Sequence, residues 1–171
     1  MFTPTIRVLL ILGCLLLGAW DLRRGSVTGW LLLVAGVLLA FGYFRYATIW
    51  LAWKALKAGD VGRCKSLLEK VPSTTSLTAE SRAYYEMAHG YIAAEEQSWA
   101  SARGHFQAAL SGPLRTANDR SLAACQLAAV SVRLGDIEGA RNYLEMARKQ
   151  SHKPAVAQLI QQVASQIAPS G

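Results

Sequence analysis

The chain has 171 residues, a formal net charge of +7 and a hydrophobic content of 52%. This length allows one domain, or a small domain with an appendage. The three cysteines, at positions 14, 64 and 125, form no CxxC pair and no metal-ligand spacing, which argues against a cysteine-bound metal site. The longest apolar runs lie in the first 44 positions, and from Arg45 onward the sequence is typical of a water-soluble helical protein.

Two uncharged segments lie near the N-terminus, "VLLILGCLLLGAW" at residues 8–20 and "SVTGWLLLVAGVLLAFGYF" at residues 26–44. The second has about the ~20 residues that a membrane-spanning helix needs, and the first approaches that length only if Thr5 and Ile6 join it. Aromatic residues lie near the segment ends, where their amphipathic rings favour a membrane interface. These features predict a two-helix transmembrane hairpin over residues 1–44.

Two other interpretations of the N-terminus are open. A cleaved signal peptide would need a small-x-small cleavage site, and none precedes the charged loop between the two segments. A lipoprotein signal ending at Cys14, in "ILGC", would have a very short apolar run before the cysteine. The hairpin is therefore preferred.

Basic residues on both sides of the hairpin bear on its orientation. The loop carries two arginines, offset by Asp21, and the outer side carries Arg7, Arg45, Lys54, Lys57 and Arg63. The positive-inside rule then predicts that both termini, and with them the repeat domain, lie in the cytoplasm, the opposite sidedness being the alternative. The predicted location is a bacterial inner membrane, as an integral protein with two spans. Residues 45–171 carry 15 Lys/Arg against 10 Asp/Glu. This excess favours contact with membrane lipids. Because the basic residues are dispersed, no contact with nucleic acid is predicted.

A sequence pattern recurs after the hairpin. "KAGDVGRCKSLLEKV" at residues 57–71 aligns with "RLGDIEGARNYLEMARK", which begins 76 residues later, and "EQSWASARGHFQAAL" lies halfway between them. The spacing of 38 predicts three helix-turn-helix units, at residues 45–82, 83–120 and 121–154. Each unit has a turn pair, a small residue and a large apolar residue: Gly59-Asp60, Cys64 and Leu68; Gln97-Ser98, Ala102 and Phe106; Gly135-Asp136, Ala140 and Leu144.

The Gly-Asp pairs are interpreted as turns between helices. Glycine adopts the left-handed conformation that ends a helix, and aspartate caps the start of the next one. Asp60 and Asp21 also resemble the paired aspartates of prepilin peptidases, through "KAGD" and "WDLRRG". Those enzymes have a GxGD motif, whereas Lys57 stands at its first position here, and no apolar span follows Asp60. The turn interpretation is therefore preferred, and no catalytic residue is predicted.

The three units together resemble the tetratricopeptide repeat family. The third unit carries the family pattern most fully, at Leu127, Ala128, Gly135, Asp136, Ala140, Leu144 and Ala147. The second unit carries it in part, at Gly90, Ala102, Phe106 and Ala109. The units depart from the family by lacking tryptophan at position 4 and by a spacing of 38 rather than 34 residues. A degenerate helical-hairpin repeat of another lineage is the alternative.

The resemblance implies an all-α fold, in which an α-solenoid of three helix pairs follows the hairpin. The terminal helix "PAVAQLIQQVASQI" has one apolar stripe, so residues 155–171 are expected to form a capping helix and tail. No proline or glycine interrupts residues 44–58, so one continuous helix is expected from about Val27 to Ala58.

In that family the first helix of each unit lines a concave groove. The resemblance transfers these positions to Tyr46, Ile49, Trp53, Leu56 and Lys57, then Tyr84, Met87, Tyr91, Ala94 and Glu95, then Leu122, Cys125, Ala129, Val132 and Arg133. The residues assigned to a protein-binding groove are Tyr84, Met87, Tyr91, Leu122, Cys125, Ala129 and Arg133. A groove with these side chains suits a hydrophobic peptide or helix. Alternatively, its tyrosines pack against the terminal helix.

The sequence contains no GxSxG, P-loop or GxGxxG motif, and His89, His105 and His152 lack ligand partners at helical spacing. We therefore predict no enzyme and no catalytic, cofactor or metal site. The predicted function is a membrane-anchored scaffold or assembly factor that binds a partner protein, itself membrane-associated. The alternative is a permanent accessory subunit of a larger membrane enzyme or transporter. The oligomeric state is left open.

Overall fold

The computed structural model describes residues 4–71, 73–75 and 77–167, without the side chains of residues 4–8 and 41–47. In these ranges the regular secondary structure is entirely helical, which confirms the all-α class. The helices are α1 (Pro4–Arg23), α2 (Val27–Lys57), α3 (Val61–Leu68), α4 (Ala79–Glu95), α5 (Trp99–Ser111), α6 (Ala117–Arg133), α7 (Ile137–Lys149) and α8 (Pro154–Ile167). The chain divides into two compact units, Met1–Trp50 and Leu51–Gly171.

In the first unit, α1 and α2 approach each other through glycines. A Cβ atom added to Gly29 would lie 2.6 Å from the backbone nitrogen of Leu22 and 2.9 Å from the carbonyl oxygen of Gly18. The backbones of the two helices therefore touch at this crossing, which a larger residue would force apart. The Oγ1 atom of Thr28 donates a hydrogen bond to the Oδ2 atom of Asp21 at 2.8 Å, which ties the start of α2 to the end of α1.

The transmembrane prediction is wrong for the part of the chain that the structure describes. Within it, no helix combines the length and the hydropathy that crossing a bilayer requires. This finding corrects the two-span hairpin over residues 1–44, the bacterial inner-membrane location and the sidedness derived from it.

The second unit is built from helices that pack on their neighbours in the chain. Helix α4 packs on α5, α5 on α6, α6 on α7, and α8 closes the unit against α6 and α7. The small residues predicted for each pair, Cys64, Ala102 and Ala140, are fully buried. Their large partners Leu68, Phe106 and Leu144 are also buried. The small side chains let the helices approach, and the large ones fill the space beside the crossing.

The three turns between helices have the same backbone geometry. The amide three residues beyond the helix end donates to the carbonyl five residues earlier, and the preceding amide donates to the carbonyl three residues earlier, which is the Schellman pattern. The first of these bonds joins Asp60 to Ala55, Ser98 to Ala93 and Asp136 to Ser131, at 3.0, 2.8 and 2.9 Å. Successive bonds lie 38 positions apart, which is the spacing predicted from the sequence.

Asp60 is a turn residue that caps α3, as predicted. Its Oδ1 atom accepts a hydrogen bond from the backbone nitrogen of Arg63 at 2.9 Å, and Asp136 accepts one from Gly139 at 2.8 Å. The middle turn differs, because Ser98 makes no such bond with its side chain. Gln97 also stands there where the other turns have glycine, with a φ of 56°.

We predict that Gln97→Gly stabilises the protein by about 0.5 to 1 kcal/mol. The left-handed conformation costs a residue with a Cβ atom about 1–2 kcal/mol, and the greater freedom of glycine in the unfolded chain offsets part of the gain. The matched variant Gly135→Gln, at the equivalent turn with a φ of 76°, should lose a similar amount. Urea unfolding measures both. A destabilised Gln97→Gly protein would contradict the strain assigned to this turn.

We also predict that Gly90→Ala lowers the melting temperature. A Cβ atom on Gly90 would lie 2.8 Å from the ring of Phe106, which is fully buried. Overpacking of this kind costs about 1–3 kcal/mol, more than the ~1 kcal/mol that alanine gains in helix propensity.

Gly104→Ala is the matched control for Gly90→Ala, because Gly104 also lies inside a helix but has no atom within 4 Å of an added Cβ. This variant should gain up to about 1 kcal/mol. Thermal unfolding followed by circular dichroism compares the two. Equal shifts of the melting temperature would mean that the α4–α5 contact at Gly90 is not tight.

Candidate functional site

Two neighbouring clefts open on the second unit. Cleft A, about 310 Å³, lies between the end of α2, the start of α3, and α4 and α6. Cleft B, about 380 Å³, lies between α4, the start of α5, α6 and α8. Tyr91 and Glu95 line both clefts, so the two adjoin and form one groove.

The two clefts are equivalent positions of the repeat. Four residues that line cleft A lie 38 positions before four that line cleft B: Trp53, Leu56, Lys57 and Val61 precede Tyr91, Ala94, Glu95 and Trp99. On the opposite wall, Tyr91 and Glu95 of cleft A correspond in the same way to Ala129 and Arg133 of cleft B. The same local structure, repeated, therefore produces the same space twice.

The floor of the groove is aromatic. The ring of Tyr91 lies 6.1 Å from that of Trp53 and 5.3 Å from that of Phe106, centroid to centroid, and the contact with Phe106 is edge-on. Trp53 in turn meets Tyr84 edge-on at 5.6 Å. Burial raises the pKa of the Tyr91 phenol far above its ordinary value, so its hydroxyl stays protonated. These interlocked rings give the groove rigid apolar walls.

Three charged side chains border the groove at equivalent positions of the repeat, 57, 95 and 133. The Nζ atom of Lys57 lies 5.1 Å from the ring centroid of Trp53, and the Cζ atom of Arg133 lies 5.7 Å from that of Trp99. Both geometries are cation–π contacts. Glu95 lies between the two cations. Among the described residues, none of the three forms an ion pair.

The structure separates the residues predicted for the groove into two groups. Four of them line the clefts: Tyr91, Leu122, Ala129 and Arg133. Tyr84, Met87 and Cys125 do not, because their side chains are turned into the core, where they are 6, 0 and 0% exposed. Five positions were transferred to the first helix-turn-helix unit, residues 45–82. Of these, Trp53, Leu56 and Lys57 line cleft A, Ile49 is buried, and the side chain of Tyr46 lies outside the described residues.

The buried position of Tyr84 has a polar reason. Its hydroxyl donates to the Oδ2 atom of Asp119 at 2.6 Å and accepts a hydrogen bond from the backbone nitrogen of Arg115 at 3.2 Å. Burial and the hydrogen bond to Asp119 both raise the pKa of the Tyr84 phenol, so the hydroxyl remains a donor. Tyr84 therefore joins α4 to α6 and its preceding loop, and supports the groove from behind.

Two parts of the groove were not predicted. Trp99 comes from the start of α5, and the 38-residue alignment that pairs it with Val61 was the available signal. Leu159, Gln162, Val163 and Gln166 of α8 form one wall of cleft B. The alternation of apolar residues and glutamines predicted a capping helix but did not indicate that its glutamines face a cleft.

The histidines of α4 and α5 pack against each other away from the groove. The rings of His89 and His105 stack at 5.4 Å, and the Nδ1 atom of His105 lies 2.7 Å from the Oε2 atom of Glu86. Burial, and then the proximity of His105, lower the pKa of His89. Over the described residues, no group of three or more His, Cys, Asp or Glu side chains is placed to hold a metal ion. Burial raises the pKa of the Cys125 thiol to about 12, which keeps it from acting as a thiolate.

Comparison of the chain with protein-family models, curated proteins and solved structures finds no match.

We predict that Tyr84→Phe destabilises the protein by about 1–3 kcal/mol, because the Asp119 carboxylate, 7% exposed, loses its buried donor. Tyr143→Phe is the matched control, since the Tyr143 hydroxyl accepts only an exposed hydrogen bond from Gln107 at 3.1 Å. Urea unfolding should separate the two variants clearly. Equal stabilities would mean that the Tyr84–Asp119 bond does not hold α4 to α6.

Proposed function

We propose that this protein is a scaffold or assembly factor, in which the groove formed by clefts A and B binds a segment of a partner protein. The observation that carries the proposal is the succession of two equivalent clefts, each with an aromatic wall and an exposed charged rim. Grooves that take peptides or helices have this combination of apolar pockets and sparse polar groups. A single small molecule would have no need of the second cleft.

The proposal includes a tetratricopeptide-like architecture for the second unit. The end of α2 with α3, α4 with α5, and α6 with α7 would be three helix pairs of a short α-solenoid, and α8 its cap. Support comes from the three Schellman turns at 38-residue spacing and from the packing of α8 on the last pair. In such arrays each pair contacts only its neighbours, and the first helices form the binding surface.

The proposed role is binding without catalysis. The ionisable side chains that line the two clefts are Lys57, Tyr91, Glu95 and Arg133. Within the described part of the chain these four include no nucleophile paired with a general base, the arrangement that covalent catalysis needs. Two exposed cations and one carboxylate on an apolar groove are instead the features of a recognition surface.

A second candidate is a permanent accessory subunit of a larger complex. It is favoured by the apolar surface of the first unit, where large side chains such as Leu16, Val27 and Leu31 are 70, 77 and 69% exposed. Large apolar side chains exposed in this number are typical of an interface, and permanent subunits bury the largest interfaces. In that case the first unit would make the main contact, and the groove a secondary one.

Crosslinked affinity capture from the native cells tests the proposal, with Tyr91→Ala as the groove variant and Tyr85→Ala as its matched control. Both changes remove a tyrosine ring from α4, but Tyr85 packs on the core of the first pair and lines neither cleft. We expect a partner that Tyr85→Ala retains and Tyr91→Ala loses by about tenfold or more, the effect of a central aromatic anchor.

Circular dichroism of both variants establishes that each is folded before capture is compared. Equal recovery of every partner by the two variants would show that the groove is not the binding site. A partner that is then held in high salt and detergent would support the accessory subunit instead.

A further inference from the structure

We propose that the groove binds an acidic amphipathic helix of the partner, with one apolar side chain in each cleft and carboxylates on Lys57 and Arg133. This inference rests on the proposed function and deepens it, because it assigns the chemistry and the spacing of the bound segment. Three features of the groove support it: the repeat of the clefts, the order of the charges along the rim, and the stacking of the two cations on tryptophan rings.

The spacing of the clefts favours a helix with anchors seven residues apart. Trp53 and Tyr84 join α2 to α4, and Tyr84 and Asp119 join α4 to α6, in each case through long side chains. For helices joined in this way we take a spacing of about 10 Å, the upper end of the usual range. Equivalent clefts should therefore recur about every 10 Å. Positions i and i+7 of one helix lie on the same face and about 10.5 Å apart. Volumes of about 310 and 380 Å³ admit a large apolar or aromatic side chain in each cleft.

The charges along the rim run positive, negative, positive. Lys57, Glu95 and Arg133 occupy the same position of successive repeats, so they follow the same period as the clefts. A segment with carboxylates at both ends and a cation between them meets an opposite charge at every step. A segment of the reverse order meets three like charges, which opposes binding. The net charge of +7 adds a long-range attraction for acidic partners.

The two cations are held in place before the partner binds. Lys57 lies over Trp53 and Arg133 over Trp99, and each tryptophan lines the same cleft as its cation. The cation–π contact restricts a side chain that would otherwise be mobile, which lowers the entropy lost when a carboxylate binds it. Each cleft thus offers an apolar pocket and an oriented cation side by side.

Glu95 fixes the register of the bound helix. Because Glu95 borders both clefts, a helix that slips by one cleft brings a carboxylate against it. Repulsion of that kind excludes the shifted alignment as effectively as attraction favours the correct one. The pattern expected in the partner is acid, base, acid at seven-residue intervals, with apolar anchors on the adjoining stripe of the same face.

The test uses the full-length protein and two synthetic 22-residue peptides with the same leucine anchors. One peptide carries Glu, Lys and Glu at seven-residue intervals, and the other carries Lys, Glu and Lys at the same positions. Fluorescence anisotropy measures both affinities at low salt and at 0.5 M NaCl. We expect the first peptide to bind at least about tenfold more tightly at low salt, and the difference to shrink as salt screens the charges.

A protein variant with the rim charges inverted, Lys57→Glu/Glu95→Lys/Arg133→Glu, should prefer the second peptide. Its matched control, Arg141→Glu/Glu145→Lys/Arg148→Glu, inverts three charges on α7 that line neither cleft and should keep the original preference. Thermal unfolding shows whether both variants are folded. A reversal of preference in the first variant alone supports the inference.

Three outcomes would overturn it. Equal affinity for both peptides would mean that the groove selects apolar anchors without regard to charge. A preference of the native protein for the second peptide would mean that the rim charges act in another arrangement. If neither peptide binds while Tyr91→Ala still loses the captured partner, the groove binds a segment other than an acidic helix and only the present inference fails.

Discussion

The geometry of the second unit depends on the backbone turn that ends each first helix. In all three turns an amide reaches back to the carbonyl five residues earlier, at 2.8 to 3.0 Å, and a residue with positive φ makes that reversal possible. Because the turns are alike, a small buried residue recurs at the same position after each of them. Equivalent side chains then reach the surface at a period of 38. The two clefts and the alternating charges on their rim follow from that repetition.

Much of this arrangement was accessible from the sequence because its causes are local. A Gly-Asp pair specifies a helix stop followed by a cap whatever surrounds it, and Cys64, Ala102 and Ala140 mark crossings by size alone. The turn at Gln97-Ser98 has neither signal and was located only by its spacing from the other two. The N-terminal prediction failed for a different reason. Absence of charge over a run of residues is a property of composition, whereas crossing a bilayer needs both length and hydropathy in a single helix. Among the described residues no helix has both.

The helix face that carries the site could be predicted from the sequence, but the burial of each side chain on that face could not. Tyr84 and Tyr91 lie seven residues, about two turns, apart on the same side of α4, and family positions assign both to the groove. Their burial differs because Asp119, at the start of α6, and Arg115, in the loop before it, bind the Tyr84 hydroxyl inside the core, whereas the ring of Tyr91 lies between Trp53 and Phe106 at the groove. Such partners come from elsewhere in the chain, so a reading of one helix does not reveal them. The wall contributed by α8 escaped prediction for the same reason.

The middle turn determines where local unfolding of the second unit should begin. Proteins built of units that contact mainly their neighbours do not have one stability throughout, and they exchange amide protons through partial unfolding at their weakest junction. The junction at Gln97 combines a strained φ with an uncapped α5, while the turns on either side have glycine and a capping aspartate. Amides of the first turn of α5 should therefore exchange ahead of those in α3 and α7. The seam lies beside Trp99, so cleft B is the part of the groove whose support depends on the weakest of the three turns.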